Sequence, residues 1–319
     1  MLRAFLIYLS KASWAQNIFT KWEFAWKAAS RFVAGEEVND AMRIVKDLNL
    51  KGINATLDQL GEHTSTLEEA KSSTQGILEI LEQINFNDVR ANVSIKLTQI
   101  GLALSDTECE INLATILHKA KEFGNFIRID MEDSQFTDAT IRLFRKMKET
   151  GYINVGIVVQ SCLYRTEADT RALLSEGACF RLVKGAYKET AKLAFPKKRD
   201  VDANFDLLTK VMLDGAVMYD ARKLSDDGRI PPITAIGTHD ENRIKYAISY
   251  MQSHELPRKM LEIQMLFGIR RDLQEKYSKE GIPMRIYVPF GTHWYPYFVR
   301  RLAERPANIW FFISNYFKK

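Results

Sequence analysis

Two adjacent arginines near the end of the chain are the residues whose spacing points most directly to chemistry. Arg300 and Arg301 follow an apparent strand, glycine turn and helix start in the segment YVPFGTHWYPYFVRRLAERPAN, residues 287–308. Neighbouring guanidiniums form a fixed set of donors for one carboxylate, a geometry that lysine does not offer. Glu304 follows within one helical turn and can pair with either arginine. The alternative is a solvated charged helix face, because exposed ion pairs are common and weak.

Polar residues in or just after the carboxyl ends of strand candidates form a second group. They are Lys96, Asp130, Gln160, Arg181 with Lys184 and Gly185, Thr238 with His239, and Tyr287. In an α/β barrel the carboxyl ends of all strands meet at one mouth, where active sites lie. Plainer explanations exist: Lys96 can pair with Asp130 in a buried ion pair, and His239 can mark the start of a helix. Gln160 and Arg181 fit these explanations less well, since a buried amide or guanidinium needs partners.

The segment RLVKGAY, residues 181–187, combines two cations with a glycine. Strand alternation places Arg181 and Lys184 on opposite faces until Gly185 interrupts the pattern. A glycine lets a ligand approach the backbone closely. Arg181 and Lys184 are therefore candidates for contacting phosphates or a polarised ring.

Alternating strand and helix candidates must position these residues. The strands are predicted at 52–57, 92–97, 126–131, 153–160, 179–184, 233–237, 261–266 and 285–288. Helices are predicted from 65 and 107, over 137–149, 167–175, 204–224 and 241–251, and after the last two strands. Apolar strands of this kind are typical of a parallel sheet buried on both faces. Eight units in one chain of this length favour a closed α/β barrel over an open sheet.

Composition excludes several classes of protein. The 319 residues are 46% hydrophobic and 27% charged, with a net charge of +5 that is too small to indicate nucleic-acid binding. Three cysteines without a CxxC motif indicate neither a disulfide framework nor a zinc site. Scattered histidines without HExxH make a metal site improbable. Neither GxGxxG nor GxxxxGK[ST] is present, so any dinucleotide must be held by barrel loops.

The amino-terminal segment is rich in aromatic residues interleaved with lysines. Residues 1–47 are predicted to form a helical arm, separate from a barrel domain at 48–319. Trp22, Trp26 and Val33 fall on one helical stripe, together with two alanines. Such a stripe either contacts a membrane surface or docks the arm on the barrel, and docking is favoured. No run approaches the ~20 apolar residues of a membrane span.

Several motifs match a known family over most of the chain. They are VSIKL (93–97), RIDMED (128–133), VVQSCLYRT (158–166), RLVKGAY (181–187), GTHD (237–240), QMLFG (264–268) and the segment around the arginine pair. On these motifs the chain resembles monofunctional flavin-dependent proline dehydrogenases. The resemblance implies a distorted (βα)8 TIM-like barrel.

The resemblance also implies roles for individual residues. Asp130 and Arg181 would be catalytic. The substrate would be bound by Lys96, Tyr187, Leu266, Tyr287, Arg300, Arg301 and Glu304. Non-covalent FAD would be bound by Met131, Gln160, Arg181, Val183, Lys184, Gly185, Ala186, Thr238 and His239. Hydride would pass from C5 of L-proline to flavin N5, giving Δ1-pyrroline-5-carboxylate. Tyr287 would select proline over hydroxyproline.

The resemblance extends to partners and location. It implies a membrane quinone as electron acceptor and a separate pyrroline-5-carboxylate dehydrogenase that uses the product. It implies a cytoplasmic protein with peripheral contact at the inner face of the membrane. One departure is Phe267, where the family's QMLYG motif has tyrosine. Two other functions remain open: a Schiff-base aldolase using Lys96 or Lys184, and a non-catalytic barrel that binds proline or docks at membranes.

Overall fold

Eight parallel strands form the centre of the molecule. The computed structural model describes residues 6, 8–10, 12–20, 22–61, 64–219 and 222–304. The strands close into a barrel in sequence order, and β8 pairs with β1. They are β1 (Asn54–Gln59), β2 (Ala91–Ile95), β3 (Ile127–Ile129), β4 (Val155–Gln160), β5 (Cys179–Val183), β6 (Thr234–Gly237), β7 (Leu261–Leu266) and β8 (Met284–Phe290). The predicted (βα)8 fold is confirmed.

Helices surround the barrel and precede it. They are α1 (Ser13–Phe19), α2 (Glu23–Ala29), α3 (Val38–Leu50), α4 (Leu67–Phe86), α5 (Asp106–Glu122), α6 (Thr137–Glu149), α7 (Thr166–Ser175), α8 (Lys198–Met218), α9 (Glu241–Ser253), α10 (Arg271–Lys279) and α11 (Trp294–Glu304). Among the described residues, none of these helices is both long and apolar enough to span a bilayer. The main core lies between the outer faces of the strands and the helices that cover them.

The predicted bounds of two elements are wrong in ways that bear on the site. Helix α8 begins at Lys198, not Asn204, and ends at Met218. Its first turn is favourable for a helix, because Lys198 pairs with Asp202 one turn further on. Strand β1 continues to Gln59 instead of ending at 57. This extension adds a buried carboxylate, Asp58, to the barrel.

The inside of the barrel is polar near the amino ends of the strands. Arg128, Glu262 and Arg285 are each the second residue of their strand and are almost completely buried. Arg285 forms an ion pair with Glu262 at 2.8 Å. Arg128 donates to the backbone carbonyl of Cys179 at 2.6 Å. A buried charge is tolerated only with such partners.

The loop between α8 and β6 covers the amino end of the barrel. Arg285 Nη2 donates to the carbonyl of Gly228 at 2.6 Å, and Asn92 Nδ2 donates to that of Arg229 at 3.1 Å. Gly228 has a φ of +68° and packs against Asn54, so a side chain there would be both strained and obstructed. The barrel interior is thus bonded directly to the loop that closes its base.

Helices α1 and α2 pack on α11 in a second apolar cluster. Ala29 and Val33 are buried there beside Trp294, and the Trp26 and Trp294 rings lie 5.3 Å apart. Trp22, predicted on the same stripe, is instead 53% exposed. In the described residues, the arm is therefore docked on helix α11 of the barrel. The domain boundary at 47/48 stays a prediction; α3 runs across it and packs on β1 and β8.

Candidate active site

A buried ion pair lies at the carboxyl mouth of the barrel. Asp130 follows β3, and Arg181 lies on β5 across the interior; the guanidinium donates directly to Asp130 Oδ1. Ser94 on β2 stands between them. Its hydroxyl donates to Asp130 Oδ1 at 2.8 Å and accepts from Arg181 Nη2 at 2.8 Å. The structure thus brings together the two residues predicted to be catalytic.

The second oxygen of Asp130 faces two further predicted residues. The Tyr287 hydroxyl donates to Oδ2 at 2.8 Å, and Lys96 Nζ lies 3.9 Å away. Burial opposes ionisation of Asp130, but Arg181, then Lys96 and the two hydroxyls, outweigh it and lower the pKa below its ordinary value. Burial and the Asp130 charge raise the pKa of Tyr287 well above its ordinary value. Asp130 is therefore held as a carboxylate and Tyr287 as a phenol.

Lys96 lies between two carboxylates. Its Nζ is 3.2 Å from Asp58 Oδ1, which is closer than its distance to Asp130. The buried Lys96–Asp130 ion pair, the plainer explanation of these residues, is therefore present, but Lys96 shares its charge with a second and nearer carboxylate. Asp58 was not predicted as a site residue, although it directly follows the predicted end of β1 at residue 57. Alternation from Asn54 and Thr56, both buried polar residues of β1, was the signal that could have found it.

The end of β4 meets the turn after β5. Gln160 Nε2 donates to the carbonyl of Glu132 at 2.9 Å. Gly185 has a φ of +108°, and a Cβ at this position would overlap Cys162 Sγ and lie 3.3 Å from Gln160 Oε1. This position therefore suits glycine both sterically and conformationally. Gln160 and Gly185, both predicted to bind a cofactor, are neighbours.

Lys184 belongs to a charged cluster at the starts of α8 and α9. Its Nζ donates to Asp240 Oδ2 at 2.6 Å and also to Asp202. Asp240 in turn caps α9 by accepting from the backbone of Asn242 at 3.1 Å. These contacts orient Lys184 at the rim and leave it half-exposed.

His239 has a defined tautomer. The backbone N–H of Leu266 donates to its Nε2 at 2.9 Å, so this nitrogen carries the lone pair and any ring proton of the neutral form lies on Nδ1. Leu266 pairs with Tyr287 in the β7–β8 register. Two residues predicted to bind the substrate are thus side by side.

The remaining predicted residues lie around the same end of the barrel. Met131 and Thr238 are buried, Val183 is half-buried, and Ala186 and Tyr187 are exposed in the turn after β5. Val183 pairs in register with Gln160 on one side and Gly237 on the other. Their predicted roles in binding stay predictions.

The arginine pair lies on α11, the helix that follows β8. Arg300 and Arg301 are half-buried, and the Arg301 guanidinium lies 5.1 Å from the centre of the Tyr297 ring. The side chain of Glu304 lies outside the described part of the chain, so its predicted pairing stays a prediction. The placement of both guanidiniums against a bound carboxylate also stays a prediction.

Comparisons with known proteins agree with this arrangement. A family described as proline dehydrogenase matches residues 41–312. Proline dehydrogenase 1 of Bacillus subtilis (strain 168) is 38% identical over 100% of both chains. Proline dehydrogenase of Deinococcus radiodurans is 36% identical over 92% of this chain and 91% of its own. A solved structure of proline utilization A from Bdellovibrio bacteriovorus has a TM-score of 0.78 at 24% identity, covering 88% of this chain and 33% of that one. This last likeness supports the fold alone.

Proposed function

We propose, from the premise that this chain belongs to the proline dehydrogenase family, that it oxidises L-proline to Δ1-pyrroline-5-carboxylate with a non-covalently bound FAD. The observation that carries the proposal is the ion pair of Asp130 and Arg181 at the barrel mouth, bordered by Lys96 and Tyr287. It concentrates fixed charge where substrates of such barrels bind.

The residues at the mouth fit a flavin. Gly185 keeps the turn after β5 free of a side chain next to Gln160, and Lys184 is a half-exposed cation on the same turn. We therefore assign the cofactor to Met131, Gln160, Arg181, Val183, Lys184, Gly185, Ala186, Thr238 and His239. When bound, FAD supplies at N5 the acceptor for the hydride that leaves proline C5. Arg181 provides a fixed cation, which stabilises negative charge developing during the reaction.

The substrate would be oriented by its carboxylate. We assign that contact to Lys96, Arg300 and Arg301, because cations of this kind form charge-assisted hydrogen bonds with a carboxylate. Tyr287, Leu266 and Tyr187 would enclose the ring, and Glu304 would hold the arginine pair. Orientation of this kind can contribute several kcal/mol to catalysis. The bulk of Tyr287 favours proline over its hydroxylated analogue.

Asp130 is assigned an electrostatic role and not that of a free base. Its carboxylate accepts hydrogen bonds from Arg181, Ser94 and Tyr287, which occupy three of its roughly four acceptor positions. Hydride leaves C5 more readily when the ring nitrogen has a lone pair. We therefore expect the amine to lose its proton to solvent and to react as the neutral species.

The exposed aromatic residues of the amino-terminal arm support a membrane contact. Trp14 and Trp22 expose 54% and 53% of their surface, and Tyr8 60%. Aromatic side chains of this kind bind at lipid headgroups. We propose a cytoplasmic protein that is peripheral at the inner face of the membrane and passes electrons to a quinone there. Its product would be used by a separate pyrroline-5-carboxylate dehydrogenase.

The visible spectrum tests the reaction. The purified protein should be yellow, and L-proline added without oxygen should bleach the flavin band. A colourless protein, or a flavin that proline does not bleach, would contradict the proposal. Borohydride trapping of a keto substrate on Lys96 or Lys184 would instead support the aldolase.

Vesicle sedimentation tests the membrane contact separately. We expect Trp14→Ser and Trp22→Ser together to reduce sedimentation with quinone-containing anionic vesicles while activity with a soluble dye is unchanged. Equal sedimentation of wild type and variant would remove this part of the proposal.

A further inference from the structure

Both terminal nitrogens of the Arg181 guanidinium are hydrogen-bonded to neighbouring side chains. Nη2 donates to Ser94 Oγ at 2.8 Å and to Asp130, whereas Nη1 donates to Gln264 Oε1 at 3.4 Å. We propose that Ser94 and Gln264 act as a two-point clamp that fixes the guanidinium plane, and that both are positioning residues for the reaction. This inference rests on the proposed function.

The Ser94 side of the clamp contacts both members of the ion pair. The Ser94 hydroxyl has one proton to donate. Its Oγ lies 2.8 Å from Asp130 Oδ1 and 3.3 Å from the alternative acceptor, the carbonyl oxygen of Arg128. The nearer and charged acceptor is preferred, which leaves the oxygen lone pairs to Arg181. Ser94 is buried on the inward face of β2, two residues before Lys96.

The Gln264 side of the clamp has a fixed polarity. An amide can present either its oxygen or its nitrogen, but Gln264 Nε2 donates to Glu262 Oε1 at 2.7 Å. Glu262 is itself held by Arg285, with Nε at 2.8 Å and Nη2 at 3.1 Å. The amide oxygen must therefore face Arg181. A row of buried hydrogen bonds thus runs from the base of the barrel to the catalytic guanidinium.

The clamp sets where the positive charge of Arg181 lies. Its Cζ is 5.1 Å from the centre of the Tyr287 ring, so rotation of the guanidinium would change its position relative to the ring that walls the substrate. The competing explanation is that Ser94 and Gln264 only fill the barrel with satisfied polar groups. That explanation predicts a loss of stability without a specific change in kinetics.

Two substitutions separate these explanations. Ser94→Ala and Gln264→Leu should each lower kcat for flavin reduction by proline about tenfold, because one hydrogen bond to a charged group is worth about 1.5 kcal/mol. KM should change little, since neither residue is assigned to substrate binding. Ser94→Thr keeps the hydroxyl and should recover most of the loss.

The pH profile gives a second readout. The groups that face Asp130 are Arg181 from β5, Lys96 and Ser94 from β2, and Tyr287 from β8, with Asp58 of β1 behind Lys96. Of the two clamp residues only Ser94 donates to Asp130. Ser94→Ala should therefore raise the pKa of Asp130, whereas Gln264→Leu should not. Carboxyl ¹³C NMR of the two variants and the wild type as a function of pH should show this difference, independently of turnover.

A matched control removes a buried amide far from the clamp. Asn154 donates to the carbonyl of Leu117 at 3.1 Å just before β4, and Asn154→Leu should reduce thermal stability but leave kcat unchanged. If Asn154→Leu lowers kcat as much as Gln264→Leu does, or if the two clamp variants keep the wild-type kcat, the clamp is wrong. Bleaching of the wild-type flavin by proline is measured first, so a failure of the proposed function is recognised separately.

Discussion

Among the residues that the structure describes, two buried arginine–carboxylate pairs lie inside the barrel, one near each end, and they differ in how their bonds are distributed. Arg285 and Glu262 at the base are completely buried, and Arg285 gives its other donors to the backbone carbonyls of Ala55 and Gly228. Arg181 and Asp130 at the mouth share their bonds with other side chains, among them Ser94 and Tyr287. The same chemistry thus joins backbone segments at one end and organises charged side chains at the other.

The position of a buried ion pair along the barrel axis therefore decides whether it acts on stability or on a ligand. A charge at the base contacts only the protein, so its bonds contribute to specifying one fold. A charge at the mouth lies where the strands open toward the loops, so its bonds are available to set the electrostatics of a ligand. Substitutions at the two ends should therefore have separable effects on stability and on turnover.

The largest expected effect is at the base. Arg285→Met leaves the Glu262 carboxylate buried without its cation, and removing one partner of such a pair costs about 3–5 kcal/mol. We expect urea unfolding to show this loss. Because Arg285 reaches Arg181 only through Glu262 and Gln264, kcat should fall by no more than in Gln264→Leu. Lys51→Met, which breaks the exposed pair with Glu275 at 3.3 Å, is the control and should cost less than about 1 kcal/mol. An unchanged unfolding midpoint for Arg285→Met would remove the structural role of the base pair.

The corresponding change at the mouth should act on turnover. Arg181→Met removes the fixed cation, and losing one such electrostatic group typically lowers kcat about 10²–10³-fold. Asp130 keeps Lys96, Ser94 and Tyr287 as partners, so stability should fall less than in Arg285→Met. Stopped-flow flavin reduction and urea unfolding on the same preparations test both points. A variant that unfolds as readily as Arg285→Met would erase the distinction between the two ends.

A substitution on α11 should affect substrate affinity. Arg301→Met removes one charge-assisted contact with the carboxylate, worth about 1.5–3 kcal/mol, and should raise the KM for proline about 10- to 150-fold with flavin retained. Arg171→Met, on an exposed arginine that pairs with Glu167 on α7, should leave KM unchanged. Wild-type kinetics in Arg301→Met would show that the arginine pair is only a solvated helix face.

The smallest effect concerns acid stability. The pKa of Asp130 is lower in the folded chain than its ordinary value of 3.8. Its contribution to stability is therefore complete above pH 3.8 and is lost as the pH falls through the lower folded value. The free energy of unfolding of Asp130→Asn should lie below that of wild type at neutral pH and approach it in strong acid. A difference that stays constant with pH would contradict this.

Sequence reasoning reached the fold and several site residues because both follow from periodic patterns. Alternation of strand and helix predicts the barrel, and polar residues at the ends of apolar strands mark Asp130 and Gln160 as candidates. These inferences need only the chain direction and the rule that the carboxyl ends meet. They do not require knowledge of which side chains contact one another across the barrel.

The residues that were missed are defined by contacts across the barrel. Ser94 and Gln264 lie within strands β2 and β7. A polar residue in a buried strand does not indicate a functional site until its hydrogen-bond partner is known. The two residues are separated in sequence from Arg181 by 87 and 83 residues. Partners such as Ser94 and Gln264 follow from the closure of the sheet, which no local pattern records. Asp58 is different, because it directly follows the predicted end of β1, where the rule that marked Asp130 could have found it.

The 225–230 loop beneath the barrel has a consequence for how a ligand enters. Its bonds to Arg285 and Asn92 close the amino end of the barrel. A ligand that reaches the interior therefore enters from the carboxyl end, where it meets Asp130 and Arg181 first.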